Sequence, residues 1–314
     1  MPNPNAKNPG RVNKVIAVTL GDPRGIGPEV VAKSLAAFSP SASLLVIGQR
    51  RFFPRGDLRL VRAAGDVRAG ETAFLEVADA ADGSDPSFQW VKAAVDLALR
   101  GQVQAVVTAP VSKERWLASG VNFRGHTDYF AAISPAAPPL MFFWSPGLKV
   151  ALFTHHLPLR DVFARLERGS IVSFMRRVDG ELRRLFGQEF TYLLSGLNPH
   201  AGENGRLGSE EIERIAPAMG DLRDELRMEG PLPPDVVFVK ARSMKGAVVV
   251  AWAHDLGLIP FKLLHGADGV QLTLGLPFVR TSPVHGTAFD IAGKGIADPA
   301  SMLAAVRLAE TLLR

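Results

Sequence analysis

The chain has 314 residues, 47% hydrophobic and 21% charged, the balance of an ordinary globular protein able to bury one large core or two smaller ones. It has no cysteine, which excludes disulfides, cysteine-ligated iron–sulfur clusters and thiol nucleophiles and fits a cytoplasmic protein. The net charge of +5 favours anionic partners, but the basic residues are dispersed with only two tyrosines, so an anionic small molecule fits better than nucleic acid. Residues 1–12 read as a polar, frayed tail. Neither a signal-like apolar stretch nor a run long enough to cross a bilayer stands out, so no membrane partner is expected.

The first third alternates strands and helices. Lys14–Leu20 is a β-branched apolar run of strand character, followed by Gly21-Asp-Pro-Arg-Gly-Ile-Gly-Pro28. Pro28 stands where a helix can start, Glu29 falls in its first turn, and Val30, Val31 and Leu35 form an apolar face. Strand, glycine-rich turn and helix open an α/β unit, although the glycine spacing is not the dinucleotide fingerprint. Ser43–Gly48 reads as a second strand, residues 55–85 as a loop with short strands, Phe88–Leu99 as a helix and Gln104–Thr108 as a buried strand. Ligands of open α/β sheets bind at the carboxyl ends of strands. Lys113, just beyond Thr108, is therefore a candidate contact, against the plainer reading of a solvated loop lysine.

Gly125-His126-Thr127 reads as a turn offering an imidazole, a hydroxyl and backbone donors, though His126 can equally be a surface or core histidine. Leu140–Phe143 and Leu148–Phe153 read as antiparallel strands around Ser145-Pro-Gly147. The second ends in His155-His156, whose side chains point to opposite sides if the strand continues, so both do not easily ligate one metal. Ser170–Phe186 is an amphipathic helix with Ser170 as its N-cap, and Glu189–Leu194 is a strand. A loop centred on His200 follows, then a helix capped by Ser209 with Glu210 and Glu211 in its first turn. Gly230–Asp235 reads as a rigid turn in which Asp235 is a plain helix cap, and Gly246–Ala251 as a strand delivering His254 and Asp255.

His254–Pro299 is the densest stretch in chemistry. Its glycines let backbone approach a ligand closely. Lys262 and Arg280 can hold anions, the arginine as a bidentate fork. His285–Pro299 reads as a loop shaped for a nucleotide rather than as helix or strand. His156, His200 and His254 each follow an apolar strand, so they could converge on a divalent cation. No spacing motif supports that, and isolated histidines are more often structural.

The clusters GDPRGIGPE, FRGHTD, THHLPLRD, GLNPHAGE and HDLG, in this order, resemble those of the 4-hydroxythreonine-4-phosphate dehydrogenase family, the oxidative decarboxylases of pyridoxal phosphate biosynthesis. The resemblance spans about Val15–Leu313, and HGTAFDIAGKG resembles the adenosine-binding loop of isocitrate and isopropylmalate dehydrogenases. It implies an α/β fold of two α/β/α domains of isocitrate/isopropylmalate dehydrogenase-like type with a mostly parallel mixed sheet. Residues 1–124 plus 281–314 would form the cofactor-bearing domain, and 125–280 the one carrying metal ligands and dimer contacts.

The implied activity is NAD- or NADP-dependent oxidation and decarboxylation of 4-phosphohydroxy-L-threonine to 3-amino-2-oxopropyl phosphate. A cation on the substrate hydroxyl favours its deprotonation and then stabilises the charge formed as carbon dioxide leaves. The implied ligands of one divalent cation (zinc, cobalt or magnesium) are His156, His200 and His254; imidazole donors suit zinc, cobalt or nickel better than magnesium. His126, Thr127, Lys262, Gln271 and Arg280 would hold the substrate, and His285, Gly286, Thr287, Asp290, Gly293 and Gly295 the cofactor. A homodimer with shared active sites is implied, Asp235 reaching the neighbouring subunit's site.

The chain departs from the family pattern in Arg24, in Asp128 for an acid of the GHTE motif, in His155 for threonine and in Gln271 for asparagine. Leu256 stands for glutamine and Trp252-Ala253 for a Met-Tyr-like pair. These changes put substrate identity in question, with a dehydrogenase of 4-phosphothreonate or 4-phosphoerythronate as the alternative. A metal-dependent hydrolase using the same histidines, or a basic binding protein, would leave the HGTAFDIAGKG loop without a role.

Overall fold

The computed structural model describes residues 13–38, 41–134 and 137–314, and the tail expected over residues 1–12 lies outside the described residues. In the first half β1 (Val15–Thr19), α1 (Gly27–Ala36), β2 (Ser43–Gly48), β3 (Arg59–Val61), β4 (Thr72–Glu76), α2 (Pro86–Leu99), β5 (Ala105–Thr108) and α3 (Lys113–Ala118) follow one another. After α4 (His126–Ala132) come β6 (Leu140–Trp144), β7 (Lys149–Leu152), α5 (Leu159–Arg165), α6 (Arg168–Phe186) and β8 (Thr191–Ser195). Then come α7 (Ala216–Leu222), β9 (Arg227–Leu232), α8 (Pro234–Ser243), β10 (Ala247–Ala251) and α9 (His254–His265). The chain returns through β11 (Val270–Leu274) and β12 (Val279–Pro283) and ends on α10 (Ala300–Leu312).

All the strands belong to one twelve-stranded sheet, ordered β3-β4-β2-β1-β5-β12-β11-β6-β7-β10-β8-β9. Antiparallel pairing is confined to its middle, β12-β11-β6-β7, and the two wings are parallel. Every residue of β1, β2, β5 and β10 is buried, as expected of parallel strands covered by helices on both faces. In the second half the faces separate by strand period: Val248 and Val250 pack with Phe174, Met175 and Val178 of α6. Val249 and Ala251 pack with Val237 and Phe238 of α8 and Leu258 and Phe261 of α9. Among the described residues no helix is long and apolar enough to cross a membrane.

Four local expectations are corrected. The helix expected from Ser170 starts at Arg168 with Glu167 as N-cap, which places Ser170 in its first turn. Gly230–Leu232 is not a turn but the end of β9; this strand lies at the sheet edge, where Pro231 need not donate to a second neighbour. Gly125-His126-Thr127 is not a free turn, because His126 is the first residue of α4. The helical run after Ser209, whose carbonyl accepts from Glu213 N at 2.8 Å, opens not as a regular α-helix but as a wide π-type turn, Glu211–Ile215, and the Glu211 carboxylate turns inward.

Candidate active site

The parallel strands β7, β10 and β8 are neighbours, so the loops leaving their carboxyl ends emerge side by side. These loops carry His156, His254 and His200. On the other side of the seam the β11–β12 hairpin pairs Gln271 with Ser282 and Thr273 with Arg280, and β12 lies beside β5. A cavity of about 210 Å³ opens between these elements. Its lining includes Lys113, His126, Thr127, His156, Gln271, Arg280, His285 and Gly286.

Arg280 is the electrostatic centre of this cavity. It is 1% exposed, its guanidinium donates to Thr108 Oγ1 at 2.6 Å and to Thr273 Oγ1 at 3.0 Å, and it lies 5.0 Å over the ring of Phe130. Among the described residues no carboxylate pairs with it and its Nε has no partner. Burial pushes the guanidinium down to about 9, so it stays charged at neutral pH. A buried charge without a counterion is costly, and an anion in the cavity offsets that cost. Gln271 shares the wall; its Oε1 accepts from Ser282 Oγ at 3.2 Å, which leaves its amide donors for a ligand. His126 is held well below the usual imidazole range by burial and by the charges of Arg280 and Lys113, and its buried Nε2 has no partner among the described residues. Thr108, Thr273 and Ser282 escaped the sequence reading; the signal available was a hydroxyl residue inside otherwise apolar strand runs.

A second cavity, of about 440 Å³, is lined by His156, Leu157, Leu159, Leu197, Ala253, His254, Asp255, Leu256 and Ile259. His156 lines both cavities, whereas His155 lines neither, and the buried Nδ1 of His155 has no partner among the described residues. The rings of His156 and His254 lie 5.7 Å apart. Burial, with the neighbouring Lys113, His155 and His254, pushes His156 down to about 4, so its imidazole is neutral at neutral pH. His254 Nδ1 meets Asp255 Oδ1 at 2.6 Å. A carboxylate only accepts, so Nδ1 carries a proton and Nε2 is the nitrogen left to face a metal. Two imidazoles side by side, each with a ring nitrogen to offer, fit a divalent cation in donor chemistry.

The third expected ligand is not gathered with them. His200 is exposed, lines neither cavity, and among the described residues no three His, Cys, Asp or Glu side chains form a metal-holding group. It occupies a loop at positive φ (+53°), as does His156 (+51°). All six described non-glycine residues with positive φ fall in loops 156, 200–204 and 288, which carry candidate ligands. Strain of this kind persists where surrounding structure holds it. Around His200 the holder is Glu211, 2% exposed, which accepts from the amides of Leu197 and Asn198 at 2.8 Å and from Asn198 Nδ2 at 2.9 Å. Nothing in the local sequence marked Glu211 for that role.

The remaining expected residues lie around these cavities. Lys262 is exposed on α9 and lines neither, although its charge contributes to pushing His285 down, behind burial as the main cause. Thr287, Asp290, Gly293 and Gly295 lie on a segment between β12 and α10 that has neither helix nor strand. Asp235 is exposed in the first turn of α8 and lines neither cavity.

A largely parallel sheet with its clefts at the strand ends, beside a glycine-rich loop, is an α/β fold of the isocitrate and isopropylmalate dehydrogenase-like type. The β-decarboxylating dehydrogenase of Thermococcus kodakarensis shares this fold, at a TM-score of 0.53 and 16% identity over 95% of this chain and 83% of that one. Within that class, the chain belongs to the family of the pyridoxal phosphate biosynthetic protein PdxA, whose profile matches residues 56–309. The 4-hydroxythreonine-4-phosphate dehydrogenase of Burkholderia vietnamiensis is 41% identical, covering 95% of this chain and 96% of its own. The D-threonate 4-phosphate dehydrogenase of Salmonella typhimurium is 37% identical, over 95% and 99%. The crystal structure of 4-hydroxythreonine-4-phosphate dehydrogenase from Klebsiella pneumoniae superposes with a TM-score of 0.84 at 36% identity, over 96% and 99%. The chain is thus an oxidoreductase, and a dehydrogenase family implies a nicotinamide cofactor.

Proposed function

We propose that the protein oxidises and decarboxylates 4-phosphohydroxy-L-threonine to 3-amino-2-oxopropyl phosphate, with NAD or NADP as hydride acceptor. The observation that carries this reading is the position of His156 on the wall common to both cavities. A substrate whose anionic end rests on Arg280 then has its reacting carbons beside the His156–His254 pair.

In this reading Arg280, Gln271 and Lys113 bind the anion, and His126 and Thr127 orient the chain of the substrate. His156 and His254, joined by His200, would hold a divalent cation, which supplies Lewis-acid stabilisation of charge on the substrate oxygen. The hydroxyl loses its proton and the carbinol carbon its hydride, which passes to the nicotinamide. The bond to the carboxylate then breaks, carbon dioxide leaves, and the electron pair stays on the remaining carbon until that carbon is reprotonated. The loop carrying His285, Gly286, Thr287, Asp290, Gly293 and Gly295 serves the nucleotide. Residues 1–124 with 281–314 form the nucleotide-bearing domain and residues 125–280 the metal-bearing one.

A homodimer is part of the proposal. α8 and α9 cover one face of the sheet, yet present Val236, Val239, Ile259 and Leu263 outward to solvent, an apolar layer that a second copy would cover. Asp235 lies on the same helix as two of these residues.

Leu256 beside His254 supports a second reading, D-threonate 4-phosphate as substrate. The test is reduction of NAD and of NADP by the purified protein with each substrate, with and without zinc, cobalt or magnesium. Metal-dependent reduction with carbon dioxide release from the amino acid supports the first reading, activity with the sugar acid alone supports the second, and no turnover with either overturns both.

A further inference from the structure

The segment between β12 and α10 does little to hold its own shape. Its internal backbone bonds are two short-range ones, Ile291 N to Ala288 O and Lys294 N to Ile291 O. Ala297 is buried in the core, Ala288, Ile291 and Ala292 pack against that core, and Val284 N donates to Ser301 Oγ at 3.0 Å. The other polar fixed points come from α1 and the loop before it. The Ile26 amide donates to Thr287 O at 2.9 Å, and a Cβ on Gly25 would stand 2.7 Å from the same oxygen. Glu29 and Lys33, one turn apart on α1, reach the far end of the segment. Lys33 Nζ donates to Glu29 Oε1 at 2.7 Å and to the carbonyls of Gly295 and Ala297, both at 2.8 Å. Glu29 Oε1 also accepts from the Ala297 amide at 2.9 Å. Ser34 Oγ adds a bond to Pro299 O at 3.2 Å.

We infer that Glu29 and Lys33 are positioning residues for the nucleotide, a clamp on α1 that sets the backbone of residues 287–297 in its binding shape. The inference rests on the reading of this loop as the nucleotide site. The Lys33 side chain is 36% exposed and that of Glu29 15%, so neither belongs to the apolar core, and their polar partners at this end of the segment are its own backbone groups. The charge pair does not touch the cavity that holds Arg280. Its loss should therefore change nucleotide binding and spare the anion site.

The experiment compares the wild-type protein with Lys33→Met and Glu29→Gln. Kd for NADH and NADPH is read by fluorescence titration; KM for each nucleotide, KM for the phosphorylated substrate, kcat and Tm are read in parallel. The expected result for Lys33→Met is an increase of about tenfold in nucleotide Kd and KM, ~1.4 kcal/mol, with substrate KM and kcat within about twofold. Lys33→Arg, which keeps the charge and the donors, should recover part of the affinity. Glu29→Gln keeps an acceptor for the Ala297 amide and serves if Lys33→Met does not fold. Unchanged nucleotide affinity with a lowered Tm overturns the inference and makes the pair merely structural. Failure of the wild-type protein to bind either nucleotide overturns the reading of the loop and the inference with it, whereas equal affinity in wild type and variants overturns the inference alone.

Discussion

At the scale of single residues, the site turns on a charge the fold buries without a counterion among the described residues. Lysine at position 280 would keep the charge but lose the two-pronged donor geometry that reaches Thr108 and Thr273. Arg280→Lys should raise substrate KM by at least about tenfold, ~1.4 kcal/mol, at similar nucleotide KM; an unchanged substrate KM would assign Arg280 to structure alone. His200→Ala should abolish metal-dependent turnover with Tm preserved, since the His200 side chain is exposed. Wild-type turnover in that variant would remove His200 from the mechanism. The identities of Arg280, His126 and Gln271 were legible as motif, because their residue types stand in recognisable order. Their environment was not. Burial of Arg280 depends on Thr108, far away in sequence, and the hold of Glu211 on the His200 loop depends on a chain reversal that no local pattern announces.

At the scale of elements, strands were the easier reading. β2 matches Ser43–Gly48 residue for residue, since a buried parallel strand is a plain apolar run between breakers. α9 was harder: Pro260 lies inside it, and Gly257 adds a weak helix former. Gly257 is explained by packing, as a Cβ there would stand 2.5 Å from Leu152 Cδ2 and 3.1 Å from Ala251 Cβ. Gly257→Ala should cost about 1–3 kcal/mol by overpacking and weaken zinc binding, because it lifts the helix whose first residue is His254. Full stability in that variant, by denaturant titration, would show that α9 is free to shift. At the sheet edge Glu71 accepts from Arg59 through two bonds of 2.7 Å and from the Arg68 amide at 2.8 Å, and these push its carboxyl down to about 2. A depressed carboxyl contributes stability above the ordinary carboxylate range and loses it as pH falls towards the folded value. Glu71→Gln should therefore cost about 1 kcal/mol at neutral pH, the Arg59 side being partly solvent-screened. The gap to wild type should close between about pH 4.5 and about pH 2 in acid unfolding; a gap independent of pH would assign the loss to packing.

At the scale of the whole molecule, the outer faces of α8 and α9 are where the proposed dimer would meet. Leu263 is 84% exposed, Val239 70% and Ile259 67%, too much apolar side chain in one place for a surface left bare. Leu263→Asp should convert a dimer to a monomer in sedimentation and reduce turnover with it, and a monomeric wild type would refute the dimer. No linker in the sequence announced two domains, and none exists as a sheet boundary: the strands run on from one wing to the other through β12 and β11. Arg280 stands on that seam, bonded to Thr108 of one wing and to Thr273 of the hairpin that leads into the other. Relative movement of the halves must therefore flex a hydrogen-bonded seam, and the anion proposed to dock there would act as a rivet. Substrate occupancy should then be felt as stiffness across the seam, in slower amide exchange along β5 and β6 together.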